Sequence, residues 1–128
     1  MSHLVSARRD FVESPELIAS FVEDLARQYF ADSPDRRSEP RYRMTLPVRV
    51  QPLDAQMRAV GDEFRAVTRD ISAHGIGLVC QDPTAARYLM LQLETTTLEP
   101  ITVAVEVLRC QPVGFYYDIG GRFVTTSA

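Results

Sequence analysis

A chain of 128 residues, 45% hydrophobic and 24% charged, has enough material for one packed core without disulfide or metal staples. A formal net charge of −3 speaks against a general binder of nucleic-acid polymer or anionic membrane, which is normally basic over its whole surface. Two cysteines, Cys80 and Cys110, stand in no metal-type spacing and each lies in an apolar strand-like run, so both read as buried, reduced thiols. No run approaches the length of a membrane span, and the first ten residues lack the apolar stretch of a signal peptide. Cytoplasmic residence without membrane insertion is the expectation, and no cofactor or metal is called for.

In chain order, the first clear element opens at Ser14-Pro15-Glu16, with Ser as N-cap, Pro at the first helical position and an acid in the first turn. Ile18, Phe21, Val22, Leu25, Ala26 and Tyr29 then recur at helical spacing, while Glu23, Asp24, Arg27 and Gln28 take the other face. The pattern predicts one amphipathic helix over about 14–30, whose apolar stripe needs a partner, either the following domain or a second copy in a homodimer. Ala31-Asp32-Ser33-Pro34-Asp35 breaks the helix. Residues 1–35 therefore form an extension, and 36–128 the main domain.

From Arg43 the periodicity changes to that of strands. Arg43–Gln51 alternates Leu46, Val48 and Val50 with Thr45, Pro47 and Arg49, and Pro47 points to an edge or a bulge. Asp54–Asp62 is a polar connection. Phe64–Ile71 alternates again, with Phe64, Ala66, Thr68 and Asp70 on one face. Gly75–Gln81, Arg87–Glu94, Pro100–Cys110 and Phe115–Thr125 follow, the last interrupted by Gly120-Gly121. Six strands without an intervening helix imply a mainly β domain, an antiparallel meander or closed barrel.

Two segments carry chemistry. Asp35-Arg36-Arg37-Ser38-Glu39-Pro40-Arg41-Tyr42-Arg43 begins a stretch with five arginines (36, 37, 41, 43 and 49) in a chain that has no lysine. Guanidinium groups are costly to bury, and Pro40 excludes a helix, so this is an extended cationic arm. Such a focused charge on an acidic protein suits a small polyanion better than a polymer. The second segment, Asp70-Ile71-Ser72-Ala73-His74-Gly75, ends one strand and starts the next. Asp70 and Ser72 can accept the N–H donors of guanine's Watson–Crick edge, the arginines can take its O6 and N7 edge or phosphates, and Gly75 is suited to the positive φ of a tight turn. The two segments are complementary for a guanine nucleotide. Asp70, Ser72 and His74 supply the residue types of a hydrolase triad, but neighbouring turn positions rarely give that geometry, so no enzymatic activity is expected and His74 is a turn residue. Tyr42, Phe115, Tyr116 and Tyr117 are expected in the core or on the barrel rim; stacking on single-stranded nucleic acid is the less favoured alternative, given the overall acidity.

Arg37-Ser38-Glu39-Pro40-Arg41 matches Arg-x-x-x-Arg, and Asp70-Ile71-Ser72-Ala73-His74-Gly75 matches Asp-x-Ser-x-x-Gly one strand downstream. In that order, on a six-stranded pattern, the chain from about Arg36 to Val124 resembles the PilZ domain family, the bacterial receptor module for cyclic di-GMP. Gly120-Gly121-Arg122-Phe123-Val124 is similar to the family's closing strand. The resemblance implies a six-stranded antiparallel split β-barrel, here preceded by the N-terminal amphipathic α-helix. It implies that Arg37 and Arg41 clamp phosphates and guanine edges, that Asp70 and Ser72 bond guanine, and that Gly75 allows the turn and close ligand approach. An arginine at Arg36 accompanies binding of a stacked nucleotide dimer in the family. Members often place a helix after the last strand, which this sequence does not; the helix near 14–30 would cover the open barrel end instead, or make the homodimer contact. The implied role is a cyclic di-GMP receptor or adaptor whose arm closes on the ligand and which signals to a downstream protein effector. The alternative is a PilZ-like protein-interaction module that binds no nucleotide.

Overall fold

The computed structural model describes residues 14–29, 41–95 and 99–125. Helix α1, Pro15–Tyr29, is followed by β1 (Tyr42–Arg43), β2 (Pro47–Leu53), β3 (Phe64–Ile71), β4 (Gly75–Cys80), β5 (Tyr88–Leu93), β6 (Ile101–Val113) and β7 (Tyr116–Val124). Arg36 and Arg37 lie outside the described residues; Arg41, Asp70, Ser72 and Gly75 lie within them.

The helix begins as its sequence dictates. Ser14 Oγ accepts the Leu17 N–H at 3.1 Å and the Ser14 carbonyl accepts that of Ile18 at 3.1 Å, so the cap satisfies donors that the first turn cannot. Glu16 in the first turn and Arg27 in the last complement the helix dipole. Ile18, Val22 and Leu25 are buried in the same apolar cluster as Met44, Val48, Leu78, Leu91 and Ile119 of the barrel. The apolar stripe thus finds its partner inside its own chain.

Six strands close into a ring in which β2, β3, β4, β7, β6 and β5 are each hydrogen-bonded antiparallel to the next, and β5 returns to β2. The ring is a closed six-stranded antiparallel β-barrel, which leaves no sheet edge along its staves. Alternate residues fill it: Val48 and Val50, Ile76 and Leu78, Leu89 and Leu91, Val103 and Val105, Ile119 and Phe123 are all buried. Burying one such side chain contributes roughly 1.5–3 kcal/mol, so this shared interior dominates the stability of the domain.

Several details differ from the sequence reading. The first strand is two pieces, with β1 pairing the far end of β3 (Tyr42↔Ile71, Arg43↔Asp70) and β2 pairing its near end. Thr68 makes that step. Buried in β3, it accepts the Leu46 N–H on Oγ1 at 2.8 Å and donates to the Met44 carbonyl at 2.5 Å. Pro47 is the first residue of β2, which is flanked on both sides rather than at an edge. Gly120 and Gly121 do not interrupt the last strand, which runs straight through them.

The alternation assigned to β3 also fails at its end. A bulge between Thr68 and Asp70 turns Asp70 outward while Ile71 goes in, so Asp70 does not share a face with Ala66 and Thr68. Cys80 is buried, and burial pushes its thiol pKa up, but Cys110 is only half-buried; both are free. Phe115 is not in the core. It sits at the tip of the β6–β7 hairpin, 96% exposed, after Gly114, whose φ of 62° supplies the positive value that the first position of a two-residue II′ turn demands.

Candidate functional site

The turn between β3 and β4 carries the second sequence motif. Ser72 donates its backbone N–H to the Gly75 carbonyl at 2.9 Å, and its Oγ accepts the N–H groups of His74 at 3.3 Å and Gly75 at 3.2 Å. Buried and engaged in this way, Ser72 staples the turn from within. The His74 carbonyl accepts the Phe123 N–H at 2.9 Å, tying the turn to β7. Gly75 serves a purpose other than the one expected. Its φ is not positive; rather, a Cβ there would lie 2.7 Å from the carbonyl oxygen of Gly121, so glycine is required by the close approach of two backbones.

Asp70 stands outward beside this turn, with its side chain largely shielded. Its Oδ2 accepts from Arg69 Nε at 3.3 Å and faces Arg41 Nη1 at 3.9 Å. Arg41 is mostly exposed and is delivered there because Tyr42 and Arg43 pair with Ile71 and Asp70. The two sequence motifs, with Arg41 and Asp70 separated by 29 positions in the chain, therefore meet at one carboxylate. Of the six residues singled out from the sequence, Arg41, Asp70, Ser72 and Gly75 are brought together, Asp70 and Arg41 as surface groups and Ser72 and Gly75 as the frame beneath them.

Neighbouring residues that the sequence reading left aside share this face. Arg69, the extra residue of the β3 bulge, also pairs through Nη1 with Asp118 of β7, and Arg109 Nη2 of β6 lies 3.6 Å from the same Asp118 oxygen. The Asp118 side chain is 13% exposed, and its other oxygen, Oδ1, is buried without a hydrogen-bond partner. Gly77 and Gly120 lie beneath these arginines: a Cβ on Gly77 would collide with Arg69 Nη2, and one on Gly120 would be 3.0 Å from Arg109 Nη1. Paired glycines within strands were the signal available in the sequence, since a strand gives up side-chain packing at glycine where something approaches its backbone.

On the far side of the turn, a cleft of about 590 Å³ separates Pro15, Glu16 and Ala19 of α1 from Ala73, His74 and Phe123. The first turn of the helix and the Asp-x-Ser-x-x-Gly turn thus line one cleft. Among the described residues, no cluster of His, Cys, Asp or Glu is arranged to hold a metal ion, and no helix is long and apolar enough to cross a membrane.

A closed barrel, an Arg-x-x-x-Arg segment ending beside Asp70, and a stapled Asp-x-Ser-x-x-Gly turn define a class, and comparison with known proteins agrees. The model of the PilZ domain matches residues 35–128, and the chain belongs to the PilZ domain family. No curated protein sequence matches it. Among solved structures it is similar in fold to the inhibitor of motility MotI/DgrA of Bacillus subtilis, with TM-score 0.54 and 23% identity over 74% of this chain and 46% of that one. It is also similar to the K. pneumonia MrkH–c-di-GMP complex, with TM-score 0.50 and 19% identity over 70% of this chain and 45% of that one. The PilZ domain with c-di-GMP of YcgR from Escherichia coli gives TM-score 0.50 and 16% identity over 73% and 81% of the two chains. The match spans just under half the length of MotI/DgrA and MrkH.

Proposed function

We propose that this chain is a receptor for cyclic di-GMP. The observation that carries the reading is the meeting of Arg41 and Asp70, 3.9 Å apart, on a turn that Ser72 holds in shape. Asp70 accepts the N–H donors of a guanine, Arg41 and Arg37 take phosphate and the O6 and N7 edge, and Arg36 extends the cationic arm toward a second nucleotide. Ser72 keeps the turn in shape beneath the guanine, and Gly75 lets β4 lie close enough to β7 to hold that turn in place. Two similar proteins, MrkH and the PilZ domain of YcgR, are described with this ligand bound, which supports the assignment.

Ligand binding brings Arg36 and Arg37 onto the face beside Arg41 and pulls on the Ala73-His74 turn. Because that turn and the start of α1 share a cleft, the helix is the element positioned to register the change and present it to an effector protein. No catalytic step is part of this role.

Titration calorimetry with cyclic di-GMP tests it. Saturable binding is expected, with Arg37→Ala and Arg41→Ala each weakening affinity about tenfold or more through lost charge-assisted hydrogen bonds. The ligand-free melting temperature should barely move, since a loose 3.9 Å ion pair from a mostly exposed arginine contributes at most about 1 kcal/mol. Absence of binding by the folded protein would sink the reading. It would then favour a second one, an interaction module that takes no nucleotide, for which the exposed apolar hairpin tip of Val113, Phe115 and Tyr116 is the supporting observation.

A further inference from the structure

The outer face does not end at Asp70. Register partners place Arg43, Asp70, Gly77, Gly120 and Arg109 in one row across β1, β3, β4, β7 and β6. The two middle positions carry no side chain. With strands about 4.8 Å apart, the floor from Asp70 to Arg109 is roughly 14 Å wide. A guanidinium lies over each glycine, Arg69 over Gly77 and Arg109 over Gly120, both directed by Asp118.

Charge and hydrogen bonding on this face are both incomplete. Among the described residues, Arg41, Arg69 and Arg109 lie against two carboxylates, Asp70 and Asp118, and Arg43 is the register partner of Asp70, an excess of two positive charges on a protein whose formal net charge is −3. One Asp118 oxygen is shared between two guanidiniums, so it cannot neutralise both. Arg109 is the less committed of the pair. Its side chain is 47% exposed, and its ion pair with Asp118, at 3.6 Å, is beyond hydrogen-bond reach. Five N–H donors in a rigid fork are thus held over a bare floor, which suits a planar base edge or a phosphate.

We propose that Arg109 is a further ligand-binding residue, the far jaw of a site that spans the Gly77–Gly120 floor and takes the second half of a ligand with two phosphodiesters and two guanines. This rests on the reading of the near end as a cyclic di-GMP site. Asp118 is the positioning residue that holds the Arg109 and Arg69 stems across the floor in the free protein.

Calorimetry with cyclic di-GMP on four proteins tests the jaw: wild type, Arg109→Gln, Gly120→Ala and, as a control for charge alone, Arg58→Gln in the distant connection before β3. Arg109→Gln should weaken binding about tenfold or more, the loss of a charge-assisted contact, with little change in the ligand-free melting temperature. Gly120→Ala puts a methyl group on the floor, where it meets the flexible Arg109 side chain from Cγ to Nη1 at 3.0–3.3 Å and no backbone, and should weaken binding while the fold holds. Arg58→Gln should bind as wild type. If wild type binds and both Arg109→Gln and Gly120→Ala bind equally well, the far jaw is overturned and the near site stands. If folded wild type and Arg58→Gln show no binding, the cyclic di-GMP reading fails and the far jaw falls with it.

Discussion

On the outside of the barrel, Gln51, Met90, Ala104 and Val124 line up across β2, β5, β6 and β7, while Arg43, Asp70, Gly77, Gly120 and Arg109 line up across β1, β3, β4, β7 and β6. Both rows point away from the interior, yet the chain treats them oppositely. The first is roofed by the connection between β2 and β3. Leu53, Met90 and Ala104 form a second buried apolar cluster with Met57 packed on it, and Gln51 Nε2 donates to the Gly61 carbonyl at 3.3 Å. The connection is held down by Asp54, whose Oδ1 accepts the N–H groups of Gln56 at 2.8 Å and Arg58 at 3.0 Å. Among the described residues, the second row has no such roof. It has two bulges beside it, glycines in the middle and more cations than anions. An outer face closed by its own chain is part of the core, whereas one left bare and charged is held ready for something else.

The contrast can be broken by exchanging the expected effects. Met90→Ala should cost about 2–5 kcal/mol in urea unfolding, as a fully buried side chain leaves a cavity, and leave cyclic di-GMP affinity unchanged at temperatures where the variant is folded. A lost affinity with little lost stability would mean that the covered row belongs to the site. Gly75→Ala should cost about 1–3 kcal/mol, because its methyl group meets a backbone carbonyl that cannot turn away, and it should weaken binding as well by tilting the turn that carries Asp70. Stability without loss there would show that the approach of β4 to β7 is looser than the distance implies.

Asp54 gives the smallest effect and sharpens the comparison through pH. The Arg58 N–H is the main influence holding its carboxyl below the usual carboxylate range. A depressed folded pKa means that its share of stability is present above the range of a free aspartate and disappears as pH falls through the folded value. Asp54→Asn should therefore lower the melting temperature slightly at neutral pH, with the gap to wild type closing in acid and affinity unaffected throughout. A gap that widened in acid would contradict this sign.

Much of this was legible in residue order because it rests on local rules. Ser14-Pro15 opens the helix by capping, the period-2 runs of Phe64–Ile71 and Gly75–Cys80 become strands, and Arg41 and Asp70 announce themselves as charges where a core cannot take them. What was not legible depends on which backbone lies beside which. The period-2 rule put Asp70 with Thr68, and only the bulge opposite Gly77 and Leu78 reverses it. Gly75 looked like a turn glycine because turns are the commonest reason for glycine; its true constraint, the Gly121 carbonyl, is 46 residues away in sequence. The cationic row beyond Asp70 exists only through the register of β4, β7 and β6. Arg109 and Asp118, unremarked in the sequence, are brought to this face by that pairing alone.

The measurement closest to the central claim is a ¹H–¹⁵N NMR titration of the folded chain with cyclic di-GMP. Large, saturable shifts at Arg41, Asp70, Gly75, Gly77 and Gly120, with Gln51, Met90 and Ala104 nearly still, are the expected result. No shift at saturating ligand, or shifts centred on the covered row, would contradict it.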